Sequence, residues 1–376
     1  MRIDSLKLQN FRNYKDILLT FHPHLNIIYG DNAQGKTNLL EAMAYLSLGN
    51  SFRQQKEENL LAWDSEYFYL EAELNIQNEP HIVSMGYGKK RRLWRKNGVV
   101  CSKKSDIAGF IHTVVFVPDD LLLVKKGPEL RRLFLDREMV QLIPGFYNYL
   151  NDYRKALVQR NNLLKQMTYD RNFTELALLE VWEDRLAEIA SEIIVKRAQT
   201  IEKIFPIAAN IHSILSSGEE KLIVGYDCSV PLPDRFAQIE NEEAKKIAKT
   251  ALLTAYSTKR SQEMSRGMTL YGPHRDDLFI SVNDVNLRNF GSQGQQRTAA
   301  LALKLSEVEL VYSIKNDYPV LLLDDVLSEL DSSRREALAA LIFNKAQIFI
   351  TTTDKDSPIG NKDGKYFHIK NGNVVE

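Results

Sequence analysis

Gly30-Asp31-Asn32-Ala33-Gln34-Gly35-Lys36-Thr37 fits the phosphate-binding pattern G-x-x-x-x-G-K-[ST] without a gap. The flanks supply the context the pattern needs. Leu25 to Tyr29 reads as a buried strand, and Thr37 to Leu48 as a helix with Leu39, Leu40, Met43, Ala44 and Leu46 apolar. Gly30 and Gly35 let backbone N–H groups curl around an anion, with Asp31, Asn32, Ala33 and Gln34 forming the curve. The helix N-terminus adds partial positive charge, Lys36 reaches the β- and γ-phosphates of a nucleoside triphosphate, and the Thr37 hydroxyl is placed for Mg²⁺.

Hydrolysis also needs a metal-organising carboxylate and a group that positions water. Val320-Leu321-Leu322-Leu323-Asp324-Asp325 offers both, as an apolar run ending in carboxylates at the mouth of a parallel sheet. Asp324 would organise Mg²⁺ and Asp325 would orient the attacking water. A second anion site is suggested by Ser292-Gln293-Gly294-Gln295-Gln296-Arg297, which opens a helix. One triphosphate rarely needs two helix N-termini, so this loop either completes a partner molecule's site in a two-fold dimer or simply caps its own helix.

The rest of the chain reads as an α/β protein in two parts. Short alternating strands occupy Ile3 to Leu8, Ile17 to Phe21, Tyr67 to Leu74, His81 to Tyr87, Arg92 to Val100 and Thr113 to Val117, the last four forming an antiparallel subdomain. Beyond Pro118, helices are predicted over Pro128 to Met139, Gly145 to Met167 and Glu175 to Ile204, then from Arg235 to Lys249 and Thr250 to Met264. The expected division is an ATPase head over residues 1–140 and 265–376 and a helical lobe over 141–264.

Two stretches leave alternatives open. In Asn10-Phe11-Arg12-Asn13-Tyr14 the aromatics and Arg12 either pack a base and reach a phosphate or form an ordinary strand-edge turn. Lys89 to Lys96 holds six basic residues and Trp94, which suits either DNA phosphates and a stacking indole or a charged hairpin rim with Trp94 in the core.

Composition sets the limits. The 376 residues carry 49 basic and 49 acidic side chains, so nucleic-acid binding would rest on local patches. Cys101 and Cys228 form neither a disulfide framework nor a zinc site. No apolar run approaches the ~20 residues that span a bilayer. These features suit a cytoplasmic protein.

The phosphate loop continued through Asn38 to Ala42, Asn10 to Tyr14, Ser51 to Arg53, Val115 to Leu121, Arg131-Arg132, Phe134 to Asp136, Tyr271 to Asp277 and the Ser292 loop together resemble the RecF family of bacterial recombination-mediator ATPases, within the ABC and SMC-like superfamily. The resemblance implies an ABC-type head with an antiparallel β subdomain and a mainly helical lobe. It also implies that Arg12 and Asn38 join the phosphate loop in binding ATP, and that Ser292, Gly294 and Gln295 reach across an ATP-dependent homodimer. The implied partners are double-stranded DNA, single-strand gap junctions, RecO- and RecR-like mediators and, indirectly, RecA. Departures from the wider superfamily are Asp325 where a glutamate is usual, Pro118-Asp119-Asp120 where a lobe-coupling glutamine is usual, and Thr351-Thr352-Thr353 in place of a histidine. The shorter Asp325 predicts slow turnover. The competing reading is the nucleotide-binding subunit of a membrane transporter.

Overall fold

The computed structural model describes every residue except 54, 90, 103–105, 108, 170–172, 344, 354–362 and 376. Its chain forms two compact units, one of residues 1–122, 211–219 and 300–376, the other of residues 123–210 and 220–299.

The chain begins with β1 (Arg2–Phe11), β2 (Tyr14–Thr20), β3 (Leu25–Tyr29), α1 (Lys36–Leu48), β4 (Tyr67–Ile76), β5 (Glu79–Gly88), β6 (Arg91–Lys96), β7 (Val99–Cys101) and β8 (Thr113–Phe116). It continues through α2 (Pro128–Leu142), α3 (Phe146–Tyr169), α4 (Phe173–Leu215), β9 (Leu222–Asp227), α5 (Asn241–Arg266), β10 (Asp277–Val282), β11 (Val285–Asn286) and α6 (Leu287–Phe290). It closes with α7 (Gln293–Lys315), β12 (Val320–Asp324), α8 (Ser332–Ile342), β13 (Ile348–Thr352), β14 (Lys365–Lys370) and β15 (Asn373–Val375).

Among the described residues, the first unit holds two sheets, an antiparallel one in the order β2-β1-β4-β5-β6-β7 and one in the order β15-β14-β3-β13-β12-β8 that is parallel apart from β15. Helix α1 is apolar around most of its circumference, and such a helix must be enclosed. Leu39, Leu40 and Met43 share one core with Leu8, Leu70 and Met85 of the first sheet and with Ile28, Leu322 and Phe349 of the second. Strands β3 and β12 run parallel on either side of β13, so the phosphate loop and the paired aspartates leave the sheet at the same edge.

The second unit contains α2, α3, α5, most of α4 and a small sheet in the order β11-β10-β9. Leu163, Leu164 and Met167 of α3 pack with Leu179 and Trp182 of α4 and Met264 of α5.

Four elements differ from the sequence reading, the first being the strand expected over Arg92 to Val100, which is the hairpin of β6 and β7 with Lys96 opposite Val99. Strand β8 does not join the antiparallel sheet; it pairs in parallel with β12, Val114 opposite Leu321. Its four residues are all buried, the mark of a strand covered on both faces. Helix α5 is continuous where two helices were expected, because no glycine or proline interrupts Asn241 to Arg266 and Glu240 caps its start by accepting from Glu242 and Glu243 N–H. Helix α4 runs on through Pro206, which forfeits one backbone hydrogen bond but does not end it. Among the described residues no helix is long and apolar enough to cross a membrane.

Candidate functional site

The phosphate loop closes on itself through its glycines. Gly30 has φ +144° and Gly35 φ +115°, and Ala33 between them also has a positive φ of 65°, so the backbone turns its N–H groups inward. A Cβ at Gly30 would lie 2.4 Å from the Ile369 carbonyl oxygen, and one at Gly35 2.4 Å from the Asn13 amide. Lys36 is buried, and its Nζ donates to the carbonyls of Gly30 at 2.5 Å and Asp31 at 2.9 Å. Burial lowers its pKa, opposed by the charges of Asp325, Asp324 and Asp31.

The two halves read from the sequence meet. Thr37 Oγ1 donates to Asp324 Oδ1 at 2.8 Å, across 287 residues of chain. Burial raises the Asp324 pKa, while the Thr37 and Thr351 hydroxyls pull it back. A hydroxyl and a single carboxylate at the start of a helix form the sparse all-oxygen set that suits Mg²⁺, whose octahedron water and substrate phosphates complete. Asp325 is exposed with φ 52°, a strained conformation for a non-glycine residue. It is held there by its N–H, which donates to Thr351 Oγ1 at 2.9 Å, and by its carbonyl, which accepts from Ser328 Oγ at 2.6 Å.

Thr351 was legible only as a departure from a family pattern. The structure gives it a positive role, since its hydroxyl donates to Asp324 Oδ1 at 2.8 Å and accepts from Asp325 N–H. Three other residues have partners that the sequence reading did not show. Glu41 is fully buried and takes both Arg12 Nε and Nη2 at 2.9 Å, with Ser51 Oγ also donating to it. Gln34 is gripped from two sides: its carbonyl accepts from Asn13 Nδ2 at 2.8 Å and Gly372 N–H at 3.1 Å, and its side chain from Asn371 N–H at 2.7 Å. Asn13 in turn accepts from Asn38 Nδ2 at 2.8 Å, tying Asn38 to the loop.

Phe11 and Tyr14 are fully buried, so neither offers a ring to a base; Tyr14 instead donates to the Gly35 carbonyl at 3.0 Å. Trp94 likewise belongs to the core, stacked on Tyr45 with ring centroids 5.9 Å apart. Its alternation with exposed neighbours on β6 decides this, since successive strand side chains face opposite ways. Lys90 lies outside the described residues.

The Ser292 loop lies in the second unit. Ser292 Oγ accepts from Gln295 N–H at 3.2 Å and Gln295 Oε1 from Ser292 N–H at 3.0 Å, a reciprocal capping box at the start of α7. Ser292 and Gln293 are exposed and Gly294 keeps the first turn free of a side chain. Gln295 Nε2 also donates to Glu220 Oε1 at 2.8 Å.

The Tyr271 to Asp277 stretch is structural. Asp277 receives Arg131 Nε at 2.6 Å and Nη2 at 2.8 Å, and the Asp276 carbonyl accepts from Arg132 at 2.8 Å. Arg197 joins Asp136 Oδ1 at 2.8 Å to the Pro273 carbonyl at 2.6 Å. His274 accepts from the Tyr153 hydroxyl at 2.6 Å and contacts the Thr269 carbonyl at 3.1 Å through Nε2, which fixes the neutral tautomer with the proton on Nε2. Burial lowers its pKa to about 4, against a partial upward pull from the Thr269 carbonyl. The unfolded chain therefore binds the proton first. Stability contributed by neutral His274 is complete above about pH 6.5 and is lost as pH falls towards 4, by about 3 kcal/mol in all. Denaturant unfolding of His274→Gln between those pH values is expected to show a shallower pH slope than the parent chain; equal slopes would remove His274 from the account.

Comparison with known proteins agrees with this arrangement. The family model described as RecF/RecN/SMC N terminal domain matches residues 2–362. The DNA replication and repair protein RecF of Halalkalibacterium halodurans is 42% identical over 95% of this chain and 94% of its own length. That of Clostridioides difficile is 39% identical over 100% of this chain and 98% of its own. The solved structure of the recombination mediator protein RecF-ATPrS in the RecFOR pathway superposes with a TM-score of 0.90 at 35% identity, covering 99% of this chain and 97% of that one. The Smc head bound to the C-winged helix domain of ScpA, at 17% identity and a TM-score of 0.56 over 100% of this chain and 97% of that one, shares the fold. Full-length identity, the family match and a phosphate loop bonded to its distant aspartate converge: the chain belongs to the RecF family.

Proposed function

We propose that this protein is an ATP-dependent DNA-binding ATPase of recombinational repair, working in the cytoplasm. The observation that carries the reading is the 2.8 Å bond from Thr37 to Asp324, which joins the phosphate loop to the carboxylate that hydrolysis requires. Relatives described as DNA replication and repair protein RecF, and a solved relative described with ATP in the RecFOR pathway, support the biological assignment. With that family membership, the transporter alternative loses its footing.

The residues divide the work. The loop from Gly30 to Lys36 binds the phosphates, Lys36 meeting the β- and γ-oxygens, while Thr37 and Asp324 hold Mg²⁺. Mg²⁺ held by Thr37 and Asp324 would supply positive charge against that developing on the phosphates. Asp325 orients the attacking water, and its short side chain makes turnover slow. Arg12, fixed by Glu41, and Asn38, fixed by Asn13, border the nucleotide.

The exposed Ser292 turn, with Gly294 and Gln295, closes over the phosphate loop of a second copy, so ATP assembles a homodimer and hydrolysis releases it. Residues 1–140 and 265–376 act as the ATPase head and 141–264 as the lobe. The dimer engages double-stranded DNA and gap junctions, and with RecO- and RecR-like mediators it helps to load RecA. Asp325→Asn is expected to bind ATP normally while lowering hydrolysis about 10²-fold, so that the ATP-bound dimer persists. Sedimentation with ATP should show a lasting doubled mass; an unchanged monomer would remove dimerisation from the reading.

A further inference from the structure

The antiparallel sheet of the first unit buries one face against α1, and its other face carries a trough that the nucleotide site does not use. Strand pairing sets Tyr67 opposite Gly88 and Gly88 opposite Arg91; the next row runs Gln9, Tyr69, Gly86, Leu93. Arg95 follows one row on, opposite Ser84. Residues two apart on a strand share a face, so the two glycines open a gap in both rows. Tyr67 and Tyr69 wall it from β4, and Arg91, Leu93 and Arg95 from β6.

The resulting depression has a volume of about 560 Å³. Tyr67 is 52% exposed and Leu93 42%, and both Arg91 and Arg95 are exposed. Three arginines line the trough; the carboxylate bonded to its wall, Glu71 in the Arg95 row, accepts from the Tyr69 hydroxyl at 2.5 Å. Arg92 is already committed to Glu57 at 2.6 Å.

Shape and charge select the occupant. Two strand spacings separate the walls by roughly 10 Å over a floor without side chains, which admits a flat ring between the phenols of β4 and the side chains of β6. Duplex DNA offers a protein surface its phosphates and groove edges, whereas rings become available for stacking only where bases are unpaired. Exposed guanidiniums beside aromatic walls are the combination that grips a single strand, the cations following its phosphates and the rings its bases.

We propose that this trough seats unpaired bases of single-stranded DNA, with Arg91 and Arg95 on the flanking phosphates. The inference rests on the DNA-binding reading given under Proposed function and adds to it the strand it recognises and the surface it uses.

The test compares the full chain with Tyr67→Ala/Tyr69→Ala, each binding a duplex interrupted by a gap of roughly ten thymidines and a fully paired duplex of the same ends. The double variant should bind the gapped DNA at least tenfold more weakly and the paired duplex equally well, with its salt dependence unaltered. Arg91→Ala/Arg95→Ala should weaken gapped-DNA binding and flatten its salt dependence. Gly86→Val fills the trough from its floor; the first added carbon meets Tyr69 Cδ2 at 3.8 Å, an ordinary contact that the strand accommodates. It should reproduce the selective loss. Equal affinity of parent and tyrosine variant for gapped DNA, or equal losses on gapped and paired DNA, would overturn the assignment and leave the DNA-binding reading standing. A parent chain that retains neither DNA would overturn both.

Discussion

Lys36→Ala is expected to abolish ATP-driven dimerisation and to lower ATP hydrolysis by about 10²- to 10³-fold. The Lys36 ammonium is buried, and it is held by carbonyls rather than by a carboxylate, so its charge is uncommitted and directed along the loop. Asp31, Asp324 and Asp325 all raise its pKa, which means that it also offsets their mutual repulsion. Removing it takes away the one buried cation of the loop, and ATP then meets an acidic site. Equilibrium sedimentation with and without ATP, paired with direct nucleotide binding, reads both effects. Lys36→Ala that still doubles its mass with ATP would refute the assignment of nucleotide binding to this loop.

A loss of comparable weight is expected in the second unit, where it concerns folding. Arg160 is fully buried between two carboxylates, Glu183 at 2.9 Å and Glu263 at 2.5 Å, bonds Thr269 Oγ1 at 2.7 Å, and lies 4.3 Å from the Tyr256 ring centroid. Arg160→Ala leaves Glu263 without its cation in the core, while Glu183 keeps Arg260 at 2.6 Å, and should cost about 3–5 kcal/mol of stability. Replacing both partners, Arg160→Met with Glu263→Leu, removes the uncompensated charge and should recover much of that loss. Denaturant midpoints of the parent, single and double variants measure it. A single variant within about 1 kcal/mol of the parent would show that the network contributes little.

The nucleotide site was legible because its chemistry is local in sequence. The Gly30 to Thr37 loop, the strand before it and the helix after it depend on spacing, and the apolar run into Asp324 identifies a buried strand by composition. What spacing cannot carry is long-range pairing. Glu41 sits in an apolar helix and reads as a stray acid until Arg12 is seen to meet it. Thr351 gains its role only from β13 lying between β3 and β12. Strand β8 was misassigned for the same reason, since four apolar residues do not say which sheet will bury them. In the lobe, the helices were legible from their spacing, whereas the Arg160 network was not, because a charge in a polar-looking helix gives no sign of its burial. The Tyr271 to Asp277 stretch shows the converse. It was one carrier of the family resemblance, and in the structure its aspartates anchor Arg131, Arg132 and Arg197.

The grip on Gln34 has a consequence for synthesis. The turn of the phosphate loop is held by Asn13 from one end of the sequence and by Asn371 and Gly372 from the other. Strand β14, which delivers those last residues, pairs with β3 directly before the loop. A ribosome working from the N-terminus therefore exposes the nucleotide-binding motif early and supplies its clamp more than 300 residues later, when β14 and β15 emerge. Until then the loop lacks the contacts that shape it. The motif that is earliest to emerge is thus among the last to be completed, its final contacts arriving with β14 and the turn after it.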